Sequence, residues 1–390
     1  MPGEIEFLDE GDGPDRPEEE QPEHGPLRGW PRWSIAVGAL VVAGAITAAI
    51  TLHGGGGQPQ AAATRSPTAT PSQRVSVVAP PAPKLPAPTL RVTNPAFAAA
   101  VSDFLPGQPD IGSIAVVHDH VVVLAPGNLA RISHDKNGNL HPDGESHVGL
   151  PIGDPTYADW ELISDSHNLW AVGGGRVYRI DGSTLRPGPL IHSPGGFAGA
   201  GALDGHLYLN TDVGVYEVAP DATAVSKPVV TRGGRAIAVD PTRHRLLLFD
   251  HDNDWSIRAY SPAKHKTMAG RKLPFDARSL TVAGGAIWLT GTKTDADFKP
   301  VLARLDPTTL RVISHGELAS TLSAAPTLVA GQTDLWVRSG HQLWCVNARS
   351  GAVAQHWPSL PGEVAARDGR AFVADGNVIG QLRLNGACAG

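Results

Sequence analysis

Cysteine and charge are both scarce in this chain. Of 390 residues only two are cysteine, which excludes a disulfide-dense scaffold and a four-cysteine zinc site. Charged residues make up 18%, and the formal net charge is -6. Residues 1–27 hold ten acids and one arginine, a sum of -9, so the other 363 residues sum to +3. That balance lacks the concentrated basic face of a nucleic-acid binder. No Gly-x-Ser-x-Gly nucleophile elbow and no phosphate-binding loop occur, and the glycines at 173–175 and 195–201 read as turns between strands. What is abundant is glycine (45) and proline (34), a composition that disfavours a helical bundle.

Four segments follow one another. Residues 1–32 are acidic and poor in apolar side chains, the composition of a disordered tail; Ile5, Phe7 and Leu8 are the only apolar cluster in the acids. Residues 33–53 contain no Asp, Glu, Lys or Arg, and a helix of twenty residues at about 1.5 Å each spans a bilayer core. Trp30 and Trp33 stand at its start, Arg28 and Arg32 flank it, and no further Lys or Arg appears until Arg65. The positive-inside rule therefore predicts a single-pass anchor with the N-terminus in the cytoplasm and the C-terminal domain outside the cell membrane. A cleaved signal peptide is the competing reading, with small residues for a cleavage site in Ala45-Ile46-Thr47-Ala48-Ala49. Residues 54–88 begin with four glycines and continue with eight prolines among Ala, Ser and Thr, a linker of polyproline character. Residues 89–390 carry the folded domain.

That domain repeats itself. Each unit has an apolar strand built around one large residue, a short loop, and a second strand. The central residues are Val122, Trp170, Tyr208, Leu247, Trp288, Trp336 and Phe372, spaced 48, 38, 39, 41, 48 and 36 apart. The following strands run over 129–132, 177–180, 215–218, 257–260, 302–305, 343–346 and 379–382. Polar turns such as Asp181-Gly182-Ser183-Thr184, Asp306-Pro307-Thr308-Thr309 and Asn347-Ala348-Arg349-Ser350-Gly351 come after them. Seven units of about forty residues, each with roughly four short strands, predict an all-β, seven-bladed β-propeller. A solenoid would need a shorter period, and a sandwich would show no sevenfold spacing.

The string Gly285-Ala286-Ile287-Trp288-Leu289, followed by Ala303-Arg304-Leu305-Asp306-Pro307-Thr308-Thr309-Leu310, resembles the bacterial secreted seven-bladed propellers of the YVTN and quinoprotein-like kind. The resemblance implies the fold and is nearly silent on activity, because this fold hosts many. Some propellers of this type are lyases or quinone-dependent dehydrogenases. Asn347 to Trp357 is similar to a quinoprotein docking repeat, but it occurs once with its tryptophan two residues late, and reads as a structural turn.

The seventh unit has no fourth strand of its own before Gly390. Thr89 to Thr93 is β-rich and is predicted to supply it, closing the ring; Asn94-Pro95 and Ala96 to Leu105 are predicted as a short capped helix. An even cysteine count outside the cytoplasm favours a Cys345–Cys388 disulfide, worth about 4 kcal/mol in the loop-entropy model.

Candidate ligands cluster in the loops between second and third strands and between blades. Asp250, Asp252 and Asp254 lie in such a loop of the fourth unit, Asp295 and Asp297 in the fifth, Asp276 between them, and Asp154 and Asp159 ahead of the second. Convergent carboxylates fit a hard divalent cation, calcium above all, against the plainer reading of solvated acidic turns. Asp135 to Glu145 has Asp, Asn and Asn at calcium-loop spacing, but Leu140 stands where that loop needs glycine, so an Asn-Gly turn is the better reading. His118 and His120 flank Asp119 and read as a polar turn. No residue is assigned a catalytic role and no cofactor beyond calcium is indicated. The resulting expectation is a membrane-anchored, non-catalytic propeller that binds a protein, glycan or small ligand outside the cell, with no nucleic-acid partner. The alternative is a secreted hydrolase or lyase working at the channel mouth, and a third reading is a sensor that signals inward through the acidic tail.

Overall fold

The computed structural model describes residues 8–9, 96–102, 111–118, 120–125, 128–147, 160–165, 167–250, 255–293, 300–317, 326–331, 333–367, 369–385 and 388. They form seven antiparallel sheets, six of four strands and one of five. Blade one comprises Ser113–Val117, His120–Ala125, Asn128–His134 and Leu140–His147. Blade two comprises Glu161–Ser164, Leu169–Gly173, Arg176–Ile180 and Pro187–His192. Blade three comprises Phe197–Leu203, His206–Thr211, Gly214–Val218 and Pro228–Val230. Blade four comprises Ala236–Asp240, Arg245–Asp250, Ser256–Ser261 and Lys266–Lys272. Blade five comprises Phe275–Ala283, Ala286–Lys293, Pro300–Leu305 and Val312–Glu317. Blade six comprises Thr327–Ala330, Asp334–Ser339, Gln342–Asn347 and Val353–Trp357. Blade seven takes Glu363–Arg367, Arg370–Asp375 and Val378–Leu382 from the C-terminus and Phe97–Ser102 from the far end of the domain. The first strand of each blade packs beside the first strand of the next, and Glu363–Arg367 meets Ser113–Val117, so the ring is closed.

The core is divided among the seven gaps between blades. Val122 packs with Leu169 and Ala171 of blade two, Trp170 with Leu207 and Leu209 of blade three, and Tyr208 with Leu246 and Leu248 of blade four. Leu247 packs with Ile287 and Leu289, Trp288 with Leu335 and Val337, Trp336 with Ala371 and Val373, and Phe372 with Val121 and Val123. Each central residue thus faces the following blade, while its two sequence neighbours face the preceding one, as period-2 alternation requires. Trp170 and Trp288 are 0% exposed and Trp336 is 1% exposed. A single sheet could bury only one such face; stacking around an axis buries both.

First-to-second-strand connections are tight. Gly284 and Gly285 have φ of 57° and 78°, the left-handed pair of a type I′ hairpin. A Cβ on Gly284 would also lie 2.7 Å from the Ala348 Cβ of blade six, so no side chain fits there.

Ring closure is supplied by the N-terminal side of the domain, but the strand is Phe97–Ser102 rather than residues 89–93, which lie outside the described residues. The predicted helix over 96–105 is corrected: Phe97 to Ser102 is extended and pairs antiparallel with Val378–Leu382. Alanine-rich helix propensity is worth tenths of a kcal/mol per residue, less than leaving a whole strand edge unpaired.

No helix among the described residues is long and apolar enough to cross a membrane, and residues 33–53 lie outside them, as does the linker 54–88. From the acidic segment only Leu8–Asp9 is described; it lies antiparallel to Val312–Glu317, the outer strand of blade five.

Candidate functional site

Of the eight loop carboxylates, two are described. Asp276, at the start of blade five, is buried between two guanidinium groups: Arg235 Nη1 donates to both of its oxygens at 3.2 Å, and Arg278 Nη2 lies 2.8 Å from Oδ2. Asp250 accepts from Arg258 Nη2 at 2.8 Å. Both carboxylates are neutralised by arginine, so neither offers a cation an uncompensated charge. Asp252, Asp254, Asp295 and Asp297 lie outside the described residues, as do Asp154 and Asp159. Among the described residues no group of three or more His, Cys, Asp or Glu side chains is arranged to hold a metal ion.

The other polar clusters are structural. Asp135 Oδ1 accepts from the Asn137 and Asn139 amides at 2.8 Å, which uses it to close the turn between the third and outer strands of blade one and holds its carboxyl below the usual carboxylate range. In the same blade His120 Nδ1 lies 2.6 Å from Ser133 Oγ, and Ser133 Oγ donates to Asp143. The order is His–Ser–Asp: the carboxylate takes the hydroxyl's hydrogen bond and lies 3.7 Å from the same His120 Nδ1, so the groups are not arranged as a nucleophile–base–acid relay, in which the acid bonds the far nitrogen of the base. Arg131 then ties this cluster to blade two, with Nε on Asp143 Oδ1 at 2.6 Å and Nη1 donating to the Ser183 carbonyl at 2.6 Å.

Arg131 belongs to a repeated position. In each blade the central residue pairs across to one residue of the third strand: Arg131, Arg179, Glu217, Ala259, Arg304, Cys345 and Gln381 in blades one to seven. Directly paired residues share a face, here the face toward the next blade. Arg179 donates to the Pro220 carbonyl of blade three at 2.8 Å, Gln381 Oε1 lies 2.6 Å from His134 Nε2 of blade one, and Arg304 sits over the Trp288 ring at 5.9 Å. Cys345 is joined to Cys388 by a disulfide, with Cα atoms 6.4 Å apart and both residues fully buried. The signal for the arginine members lies in Ala130-Arg131-Ile132, Tyr178-Arg179-Ile180 and Ala303-Arg304-Leu305, which follow three of the seven central residues.

The turns after the third strands are near-copies. Asp181 accepts from the Ser183 and Thr184 amides, Asp306 from the Thr308 and Thr309 amides, and Asn347 from the Arg349 and Ser350 amides. Those bonds pull the Asp181 carboxyl down to about 2, the Ser183 hydroxyl contributing most. Backbone bonds run from Leu185, Leu310 and Gly351 back to the same three residues. Leu185 and Leu310 have φ of 56° and 59° yet are buried, holding a strained backbone to place an apolar side chain in the gap between blades.

A cavity of about 670 Å³ opens at one end of the channel. It is formed where the first strands run into their turns, on the face opposite the second-to-third-strand loops. Its walls are mainly aliphatic or bare backbone, contributed by Val116, Leu162, Val282, Val329, Val364 and their small neighbours in five blades, with Pro241 and Thr242 from a sixth. Among the described residues, two charged ones line it. Asp165 spends its carboxylate on the His167 and Asn168 amides at 2.7 Å and the Gly205 amide of blade three at 3.0 Å. Arg367 reaches across from blade seven to donate to the Asp165 carbonyl at 3.3 Å. Neither residue was legible as a site residue in the sequence, because the turns they occupy meet only once the ring closes.

No protein-family model matches the chain, and no curated protein matches it in sequence. Solved structures match it in fold. The WD40 β-propeller domain of Doa1 superposes with a TM-score of 0.54 at 13% identity, over 75% of this chain and 98% of that one. Hydrazine synthase of Kuenenia stuttgartiensis gives 0.54 at 12% identity, over 71% and 96%. PorZ, an essential bacterial surface component of the type-IX secretion system of Porphyromonas gingivalis, gives 0.52 at 13% identity; the match covers 72% of this chain but only 38% of PorZ. At these identities the likeness is one of fold, and the chain is a seven-bladed β-propeller.

Proposed function

We propose that this propeller is a non-catalytic binding module whose ligand seats in the cavity at the turn-face end of the channel. The observation that carries this reading is the lining of the cavity of about 670 Å³, aliphatic side chains and backbone edge, with the one carboxylate among the described residues committed to three amides. Among the described residues nothing on the wall acts as a nucleophile held by a base, whereas a concave surface that alternates aliphatic side chains with exposed backbone polar edge suits capture of a small ligand or a peptide segment. A thermal-shift screen of small ligands and capped peptides on the full chain tests it. Ligands that stabilise the wild type and lose that effect in Ala330→Trp, which fills the cavity, support the reading; ligands equally stabilising in both, or none at all, sink it.

Kinship with the YVTN and quinoprotein-like propellers is part of the proposal. It is supported by the three near-identical Asx turns of blades two, five and six. Anchoring by residues 33–53, with the propeller outside the cell, rests on their uncharged run and the flanking Arg28 and Arg32. The pairing of Leu8–Asp9 with blade five sets the N-terminus on the propeller's side, so the two arrangements exclude each other within one chain. Protease digestion of intact cells decides between them: an N-terminal tag protected while the propeller is cut supports the anchor, and loss of both tags supports the pairing. The calcium proposal now rests on Asp252, Asp254, Asp295 and Asp297, since Asp250 and Asp276 are held by arginines.

A further inference from the structure

The ring is closed twice at one seam. Phe97–Ser102 completes blade seven by pairing with Val378–Leu382. Immediately after that strand Arg383 grips the N-terminal strand from the other end: its amide donates to the Ala96 carbonyl at 2.8 Å, and its Nε donates to the Phe97 carbonyl at 2.8 Å. The same residue is held by blade six, where Gln355 Nε2 donates to the Arg383 carbonyl at 3.1 Å and Gln355 Oε1 accepts from the Asn385 amide at 3.1 Å. Cys388 then enters the gap between blades six and seven, bonded to Cys345 and packed with Trp336, Trp357 and Leu382. Residues 383–385 and 388 form no strand or helix of their own; these hydrogen bonds, the packing of Leu384 and Cys388 on the core between blades six and seven, and the disulfide hold them to the ring.

We propose that the Cys345–Cys388 disulfide is a redox-set latch on the N-terminal strand, acting through Arg383. In the oxidised ring the tail is seated and Arg383 fixes Ala96 and Phe97 against Val378–Leu382. A dithiol breaks the S–S bond by supplying two electrons and two protons; two thiols form and the dithiol leaves as its own disulfide. The tail then keeps the Gln355 and Arg383 hydrogen bonds and the packing of Leu384 but loses its covalent tie, so the grip of Arg383 loosens and Phe97–Ser102 becomes the weakest strand in the ring. The coupling is reciprocal: a strand that has left blade seven exposes the tail and hastens reduction of a bond whose sulfurs are otherwise buried. Because Phe97–Ser102 joins the propeller to everything N-terminal of it, the latch governs how firmly the ring is held to the rest of the chain. The proposal does not depend on what the cavity binds.

Hydrogen exchange on the full chain, with and without a dithiol, tests it. Reduction is expected to speed amide exchange in 97–102 and 353–357 by about tenfold or more while blades two to four keep their protection, the pattern of a local opening. Cys388→Ser should behave like the reduced protein without added dithiol. Arg383→Ala keeps the disulfide but removes the side-chain bond to the strand, so exchange in 97–102 should be fast in both redox states. Unchanged exchange in 97–102 on reduction overturns the proposal. So does uniform acceleration through all seven blades, which would make the disulfide a general stabiliser rather than a latch. An Arg383→Ala protein that retains the full redox response would remove Arg383 from the mechanism.

Discussion

Trp336 and Cys345 face each other across the second and third strands of blade six, the register position that sets Val122 opposite Arg131 in blade one and Trp288 opposite Arg304 in blade five. In blades one, two, six and seven this spot carries a tie to its neighbour. Where blades one and two send a guanidinium across the gap and blade seven an amide, blade six sends a covalent bond. In these four blades the central residue supplies apolar burial and its partner supplies the tie.

The tryptophans should dominate stability. Replacing Trp170, Trp288 or Trp336 by alanine removes a side chain with at most 1% exposure and is expected to cost about 3–5 kcal/mol each. Urea unfolding of the full chain measures it. A loss under about 1 kcal/mol at any of the three would contradict packing between blades at that site.

The polar ties make a smaller and more specific contribution. Arg131→Ala removes bonds to Asp143 and to the Ser183 carbonyl of the neighbouring blade and should cost about 1–3 kcal/mol. Arg131→Lys should recover little of that, because one ammonium cannot span both acceptors. Equal stability of the lysine variant and the wild type would show that the guanidinium geometry is irrelevant.

Much of this was legible in the sequence, and the reasons are physical. The sevenfold spacing of central residues survives because each gap needs one large apolar group at a fixed radius. Placing the closing strand at 97–102 was not legible, because Phe97-Ala-Ala-Ala-Val-Ser carries a helical composition and only the unpaired edge of Val378–Leu382 makes it a strand. The loop carboxylates were legible as acids but not as partners. Asp276 meets Arg235 from 41 positions away, and nothing local to either residue announces the pair.

Turn chemistry offers a pH test. Asp181 is held at about 2 against an ordinary 3.8, so the folded state binds its proton less readily than the unfolded state. Its contribution is present above pH 3.8 and lost as pH falls toward 2. Asp181→Asn should keep the turn, as Asn347 does in blade six, while flattening the stability profile in that window; Asp181→Ala should lose about 1 kcal/mol at neutral pH, a modest figure because the site is exposed. An unchanged acid profile in the asparagine variant would rule the carboxylate out.

His356 works in the opposite part of the scale. It lies flat on Trp344, with ring centroids 5.0 Å apart, and burial holds its pKa below the ordinary 6.5. The folded state therefore binds this proton less readily than the unfolded state, and stability should fall as pH drops through 6.5 toward the folded value. In His356→Phe, which keeps the stack, that slope should shrink, as read from melting temperatures between pH 5 and 7 (roughly the range where histidine titrates). A slope unchanged in the variant would assign the effect to other histidines.

The strained leucine makes an ordering prediction. Leu310 is fully buried with φ of 59°, a conformation that disfavours any side chain. Leu310→Ala loses the packing, worth about 2–5 kcal/mol, and keeps the strain. Leu310→Gly loses that packing and the Cβ methyl as well, but relieves about 1–2 kcal/mol of left-handed strain. Glycine should therefore be the more stable of the two, the reverse of their ranking in ordinary strands. Blade six already places Gly351 at this position, with φ of 79°, which is what a backbone preference for glycine would select wherever the gap can do without the leucine. Denaturant midpoints for the two variants decide it, and alanine proving more stable than glycine would mean that the turn relaxes out of the left-handed region once the leucine is gone.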